Sequence, residues 1–117
     1  MKIYDCFMYF DEDTVLDLRL NYLNKFVDQF IIVESKFTHR GGQKELLFDI
    51  DKYSKFKDKI TYLTVDQEPD DLHTINADDD ENTLSKKYIL NAAKRENYQR
   101  NYILKGIEKA DLNDLIL

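Results

Sequence analysis

Glu96 and Arg100 are the two residues of this sequence whose type and spacing most invite chemistry. They lie four apart with the acid first, the favourable order for an ion pair along a helix. At about 100° per residue, Ile89, Ala92, Ala93, Ile103, Leu104 and Ile107 form one apolar stripe with Glu96 and Arg100 in its middle. Charge at the centre of such a stripe is costly unless it is paired or opens on a cleft. Two readings follow: a self-neutralised pair at the sheet edge, or a guanidinium aimed at an anion such as a phosphate.

Other polar groups carry weaker signals. "DEDT" (Asp11 to Thr14) and Asp66 place acids after two apolar runs. That pattern suits a magnesium-binding receiver domain of bacterial signalling, but the lysine-bearing fifth strand of that fold is missing. Acids at a helix start account for "DEDT" as well. "ADDDE" has acid-x-acid spacing but directly precedes a helical pattern, where the helix dipole favours acids. His39 and His73 have no partner at ligand spacing, so they do not form a zinc pattern. "THRGG" is a lone glycine pair that could wrap a phosphate or a sugar. Cys6 sits in an apolar run and reads as a small buried side chain.

These residues need elements to hold them. Lys2 to Phe10, Phe30 to Ser35 and Ile60 to Val65 are short runs rich in apolar and β-favouring residues, read as strands covered on both faces. "DLIL" (Asp114 to Leu117) supplies a fourth. After the first strand, Asp13 or Thr14 can cap a helix. That helix carries Leu16, Leu20, Leu23 and Val27 on one stripe and Arg19 on its shoulder. "DIDKYSKFKDK" is a short amphipathic helix, Gln67 to Asn82 an acidic surface loop, and Thr83 to Lys109 a long helix. Strands alternating with helices predict an α/β domain, a mostly parallel sheet of about four strands with flanking helices. In such sheets ligands bind beyond the carboxyl ends of the strands, here at Asp11 and Glu12, Glu34 and Ser35, and Asp66.

Composition narrows the function. With 117 residues, the chain is at most one domain. Its 43% hydrophobic content supports a packed core. A formal charge of −6 argues against nucleic acid as a partner, because that contact needs a basic face to release counterions. No apolar run approaches the roughly 20 residues of a membrane span, and no signal-peptide pattern opens the chain. A cytoplasmic location is the default expectation.

Several stretches together resemble glycosyltransferase family seventeen, whose animal members are β-1,4-mannosyl-glycoprotein N-acetylglucosaminyltransferases. They are "KIYDCFMYFDEDTVLDLRLNYL", "FIIVES", the Thr38-His39 loop ending in Gly41, "KFKDKI", "RENYQRN" and "DLNDLIL", in order along the chain. The resemblance implies a Rossmann-like domain of the GT-A type that transfers a sugar from a UDP-sugar donor to a glycan acceptor. In that family a Ser-Asp-x-Asp-Glu segment follows the strand matching "DLIL" and would hold a divalent cation, manganese or magnesium. The 117 residues therefore read as a donor-side half, inactive alone, whose exposed sheet edge invites self-association. The alternative is a non-catalytic remnant or interaction module. Glu12, Arg19, Glu34, Arg95, Glu96, Gln99 and Arg100 match the family pattern. Of these, Glu12, Glu34, Arg95 and Arg100 are the candidates for donor binding. Glu34 is preferred for the nucleoside and Arg100, then Arg95, for the diphosphate.

Overall fold

The structure, a computed structural model, describes residues 1–10, 12–38 and 41–117. Asp11, named above at the end of the first strand, lies outside the described residues, as do His39 and Arg40 of the "THRGG" stretch.

Four strands form one sheet: β1 (Ile3–Met8), β2 (Gln29–Ser35), β3 (Ile60–Val65) and β4 (Leu115–Ile116). All neighbours are parallel, in the order β3-β2-β1-β4. Parallel strands need crossovers, and the chain supplies helices for them. Helix α1 (Asp13–Leu23) joins β1 to β2, and a 3-10 helix (Ile50–Lys59, kinked at Tyr53) precedes β3. Helices α2 (Glu81–Asn101) and α3 (Ile103–Gly106) then carry the chain from β3 back across the sheet to β4. The fold is α/β and Rossmann-like.

β2 shows why a strand here is apolar on both sides. Phe30 and Ile32 enter a core with Tyr9, Leu16, Leu20, Val27, Tyr53 and Phe56 under α1 and the 3-10 helix. Ile31 and Val33 enter a second core with Tyr4 and Val65, packed by Tyr98, Tyr102, Ile103 and Ile107 from the other side. Successive side chains point to opposite faces, so a strand covered twice has no polar alternation. Gly106 lets α3 approach: a Cβ there would overlap the Ile31 side chain.

Several boundaries differ from the sequence reading. Glu12, and neither Asp13 nor Thr14, holds the N-cap position of α1, and its side chain makes no cap bond. Asp13 instead accepts hydrogen bonds from the hydroxyls of Tyr9 (2.6 Å) and Tyr53 (3.1 Å), which tie the helix start to the core. The long helix begins at Glu81, where Asp80 accepts from Thr83 N, and it breaks at Tyr102 before reaching Lys109. Among the "ADDDE" acids, Asp80 thus acts as the cap and Asp79 accepts from Lys87.

The face of α2 is the main correction. Ile89 is 69% and Leu104 62% exposed, so these members of the stripe read as sheet-facing point to solvent, while Ile103 and Ile107 of the same stripe pack the second core. The covered face carries Lys87, Asn91, Lys94, Arg95, Tyr98 and Gln99. Its first half meets the 66–80 loop, through Lys87 to Asp79 and Thr74 O, Asn91 to His73, Lys94 to Asp71 and Arg95 to Glu68. A helix packed on polar backbone is covered by polar residues, and a reading based on apolar periodicity picks the opposite side.

Candidate functional site at the carboxyl edge of the sheet

The strand order reverses between β1 and β4. From β1 the chain moves outward through β2 to β3, then returns to the far side of β1. In open α/β sheets the crevice for a ligand lies beyond the carboxyl ends of the strands, at such a reversal. The residues at that edge are Glu12 after β1, Ser35 to Thr38 with Gly41 and Gly42 after β2, and Gln67 to Pro69 after β3. Arg95 reaches it from α2.

Glu12 is exposed at the amino end of α1, beside the edge. Glu34, at the end of β2, is fully buried. Its Oε1 accepts from Tyr62 Oη (2.7 Å) and Phe48 N (3.0 Å), and its Oε2 from Leu47 N (2.7 Å) and Lys44 Nζ (2.9 Å). Burial alone would raise the Glu34 pKa; the donors from Leu47, Tyr62, Lys44 and Phe48 outweigh it and hold the carboxyl below its ordinary range. Tyr62 is pushed well up by burial and by its bond to that carboxylate. Phe48, delivered by this anchoring, stacks on Tyr53 and contacts Tyr62 and Tyr9.

The two arginine candidates separate. Arg95 lines a crevice with Ser35, Phe37, Val65, Glu68 and Tyr98, and its Nε donates to Glu68 Oε1 at 2.9 Å. Arg100 donates to Glu96 Oε1 at 2.7 Å; both are substantially solvated, on the face of α2 turned from the edge. Helix direction explains the split. α2 starts beyond the carboxyl edge and runs towards the amino edge, so an early residue meets the ligand side. Gln99, one turn on, already lies deep over β2, with its Nε2 donating to Val33 O at 3.2 Å.

Arg19 is not at the edge. Its Nε and Nη2 donate to the two oxygens of buried Asp5 at 2.7 and 2.5 Å, and its guanidinium stacks over Phe7 at 4.2 Å. The bond to Asp5 raises the Arg19 pKa. A planar, bidentate pair of this kind fixes α1 on β1. Cys6, beside it, has its thiol pushed up to about 11 by burial and by Asp5, which leaves it protonated and unreactive at neutral pH.

The model of glycosyltransferase family 17 matches residues 1–115. This chain belongs to glycosyltransferase family 17. The comparisons with curated proteins and with solved structures give no match.

Among the described residues, no group of three or more His, Cys, Asp or Glu side chains could hold a metal ion. No helix among them is long and apolar enough to cross a membrane. Glu68, Lys44 and Tyr62, which hold the candidate arginine and glutamate, were not singled out from sequence. The available signal was the spacing of Lys87, Asn91, Lys94 and Arg95 along one stripe, opposite an acidic loop.

Proposed function

We propose that this chain forms the donor side of a glycosyltransferase, binding the nucleoside diphosphate of a UDP-sugar at the carboxyl edge of the sheet for transfer to a glycan acceptor. One observation supports this beyond family membership: the sheet is open and parallel and its strand order reverses once, between β1 and β4, so its carboxyl edge is the site class expected of the fold, with Glu12 after β1 and Arg95 beyond β2 and β3 along that edge. By the family resemblance the sugar is N-acetylglucosamine. The divalent cation would be held by a Ser-Asp-x-Asp-Glu segment that is not among these residues, and no step is assigned to it here.

Within this reading Arg95 is the arginine of the donor edge, and Arg100 serves as the partner of Glu96. Glu34 acts from inside: with four donors on its two oxygens, it shapes the 44–48 segment beside the site. The test is calorimetric titration of UDP into the chain with manganese present. Arg95→Met is expected to weaken binding by about tenfold or more, because Arg95 holds Glu68 and packs on Gly41 at the donor edge, while Arg100→Met leaves it unchanged. Loss of binding in Arg100→Met alone, or no binding by the unaltered chain, overturns the assignment.

A second copy of the chain is the proposed partner for the β4 side of the molecule. Asp13 on α1 faces the 3-10 helix through Tyr53, and Arg19 faces β1 through Asp5. Val15, Leu18 and Tyr22 on α1, and Phe26 just after its end, are all exposed. With Leu115 and Leu117 of the β4 segment they are large apolar side chains left exposed, the kind of surface a partner covers.

A further inference from the structure

Two loops border the carboxyl edge beyond β2 and β3, and both close on one guanidinium. The first turns back on itself: Thr38 N donates to Gly42 O (2.7 Å), Gly42 N to Thr38 Oγ1 (3.0 Å), and Lys44 N to Lys36 O (2.8 Å). This closure leaves Gly41 at φ 93°, a conformation side chains rarely adopt. The space a side chain would fill is taken by Arg95: a Cβ on Gly41 would lie 2.6 Å from Arg95 Nη2 and 2.8 Å from its Cζ. The second loop contributes Glu68, bound to the Nε of the same group at 2.9 Å. The Arg95 side chain is 13% exposed, so it is wedged between the loops rather than lying across them in solvent. One turn later, Gln99 fixes the helix to Val33 O, which leaves the base of the arginine no room to drift.

We propose that Arg95 is a positioning residue that locks the 36–43 and 66–72 loops to each other and to α2, with Gly41 as the socket for its guanidinium. A ligand that settles either loop is then felt by the other. The functional consequence rests on the donor-edge reading; the lock itself does not. Shape matters as much as charge, because a planar guanidinium can lie on a glycine Cα while one edge meets a carboxylate. Lysine at this position keeps the charge for Glu68 and loses the plane.

Hydrogen exchange followed by mass spectrometry on the 117-residue chain tests the lock without ligand. In Arg95→Met, amides of both loops are expected to exchange about tenfold faster or more, the mark of a shared local opening. Arg95→Lys should release 36–43 and largely spare 66–72. Should Arg95→Met fail to fold, Glu68→Ala decides: its direct effect falls on 66–72, and the lock requires faster exchange in 36–43 as well. Acceleration confined to 66–72 overturns the proposal. So does Gly41→Ala leaving 66–72 unchanged. Addition of UDP separates the two claims: the unaltered chain should gain protection in both loops, and Arg95→Met in one at most. If UDP protects neither loop of the unaltered chain, the donor reading fails, and the ligand-free exchange still decides the lock.

Discussion

Glu34 shows how far a single residue can be read in advance. An acid at the end of an apolar strand was legible, and its place at the carboxyl edge of β2 follows from the strand alone. Its surroundings were not, because Lys44, Leu47, Phe48 and Tyr62 reach it only after the 36–49 segment folds back over the edge. The carboxylate therefore carries stability. Glu34→Gln puts an amide N–H among four donors, and the cost at neutral pH is expected to be about 1–3 kcal/mol. The pH dependence has a definite sign. Because the folded-state pKa is depressed, the contribution is complete above the unfolded value of about 4.3 and disappears as pH falls through the lower folded value. Melting temperatures of the two proteins should differ most at neutral pH, and the gap should narrow as pH falls below about 4.3 and close once it passes the lower folded value. A gap that stays constant through that range would show that the ionised carboxylate is not what stabilises.

At the scale of elements, the strands and α1 were readable because each meets one kind of neighbour. α1 packs on the sheet, with Leu16 and Leu20 buried and Leu23 partly buried as their spacing predicts; Val27, read on the same helix, is buried in the segment after α1 ends at Leu23. α2 is divided: its second half lies on the sheet through Tyr98 and Gln99, while its first half holds a loop through charged and amide groups. Apolar periodicity therefore described the wrong side of it. Asn91 is the residue on which this packing depends most. Its Oδ1 accepts from His73 N (2.7 Å) and its Nδ2 donates to His73 O (3.0 Å), so the amide replaces two strand-like bonds for a loop that has none. Asn91→Ala strands both backbone groups and is expected to cost about 1–3 kcal/mol. Limited proteolysis should then cut within residues 66–80 before any other segment is attacked. Cleavage at the same place and rate in both proteins would mean that Lys87, Lys94 and Arg95 suffice to hold the loop.

For the whole molecule, the strand order decides which surfaces have work left to do. β2 is covered on both faces and β1 nearly so, but β4 has only two paired residues and its side chains remain exposed. On α1, Val15, Leu18 and Tyr22 are exposed apolar side chains, as is Phe26 just after its end. A helix that needed only the observed core would be polar there. Tyr22 is the most exposed of them, at 73%. The chain is accordingly expected to associate. In sedimentation velocity its average mass should rise above that of one chain across about a hundredfold range of concentration. Added salt should favour the associated form, because like charges of a chain at −6 then repel less. Tyr22→Lys combined with Leu115→Lys should hold it as a monomer, since lysine on α1 and on the edge blocks both parts of the surface. Ile89→Lys, on the equally exposed outer face of α2, serves as the control and should leave association unchanged. Equal suppression by Ile89→Lys would place the contact on α2, and a monomer at every concentration would remove the second copy as the partner of the β4 side.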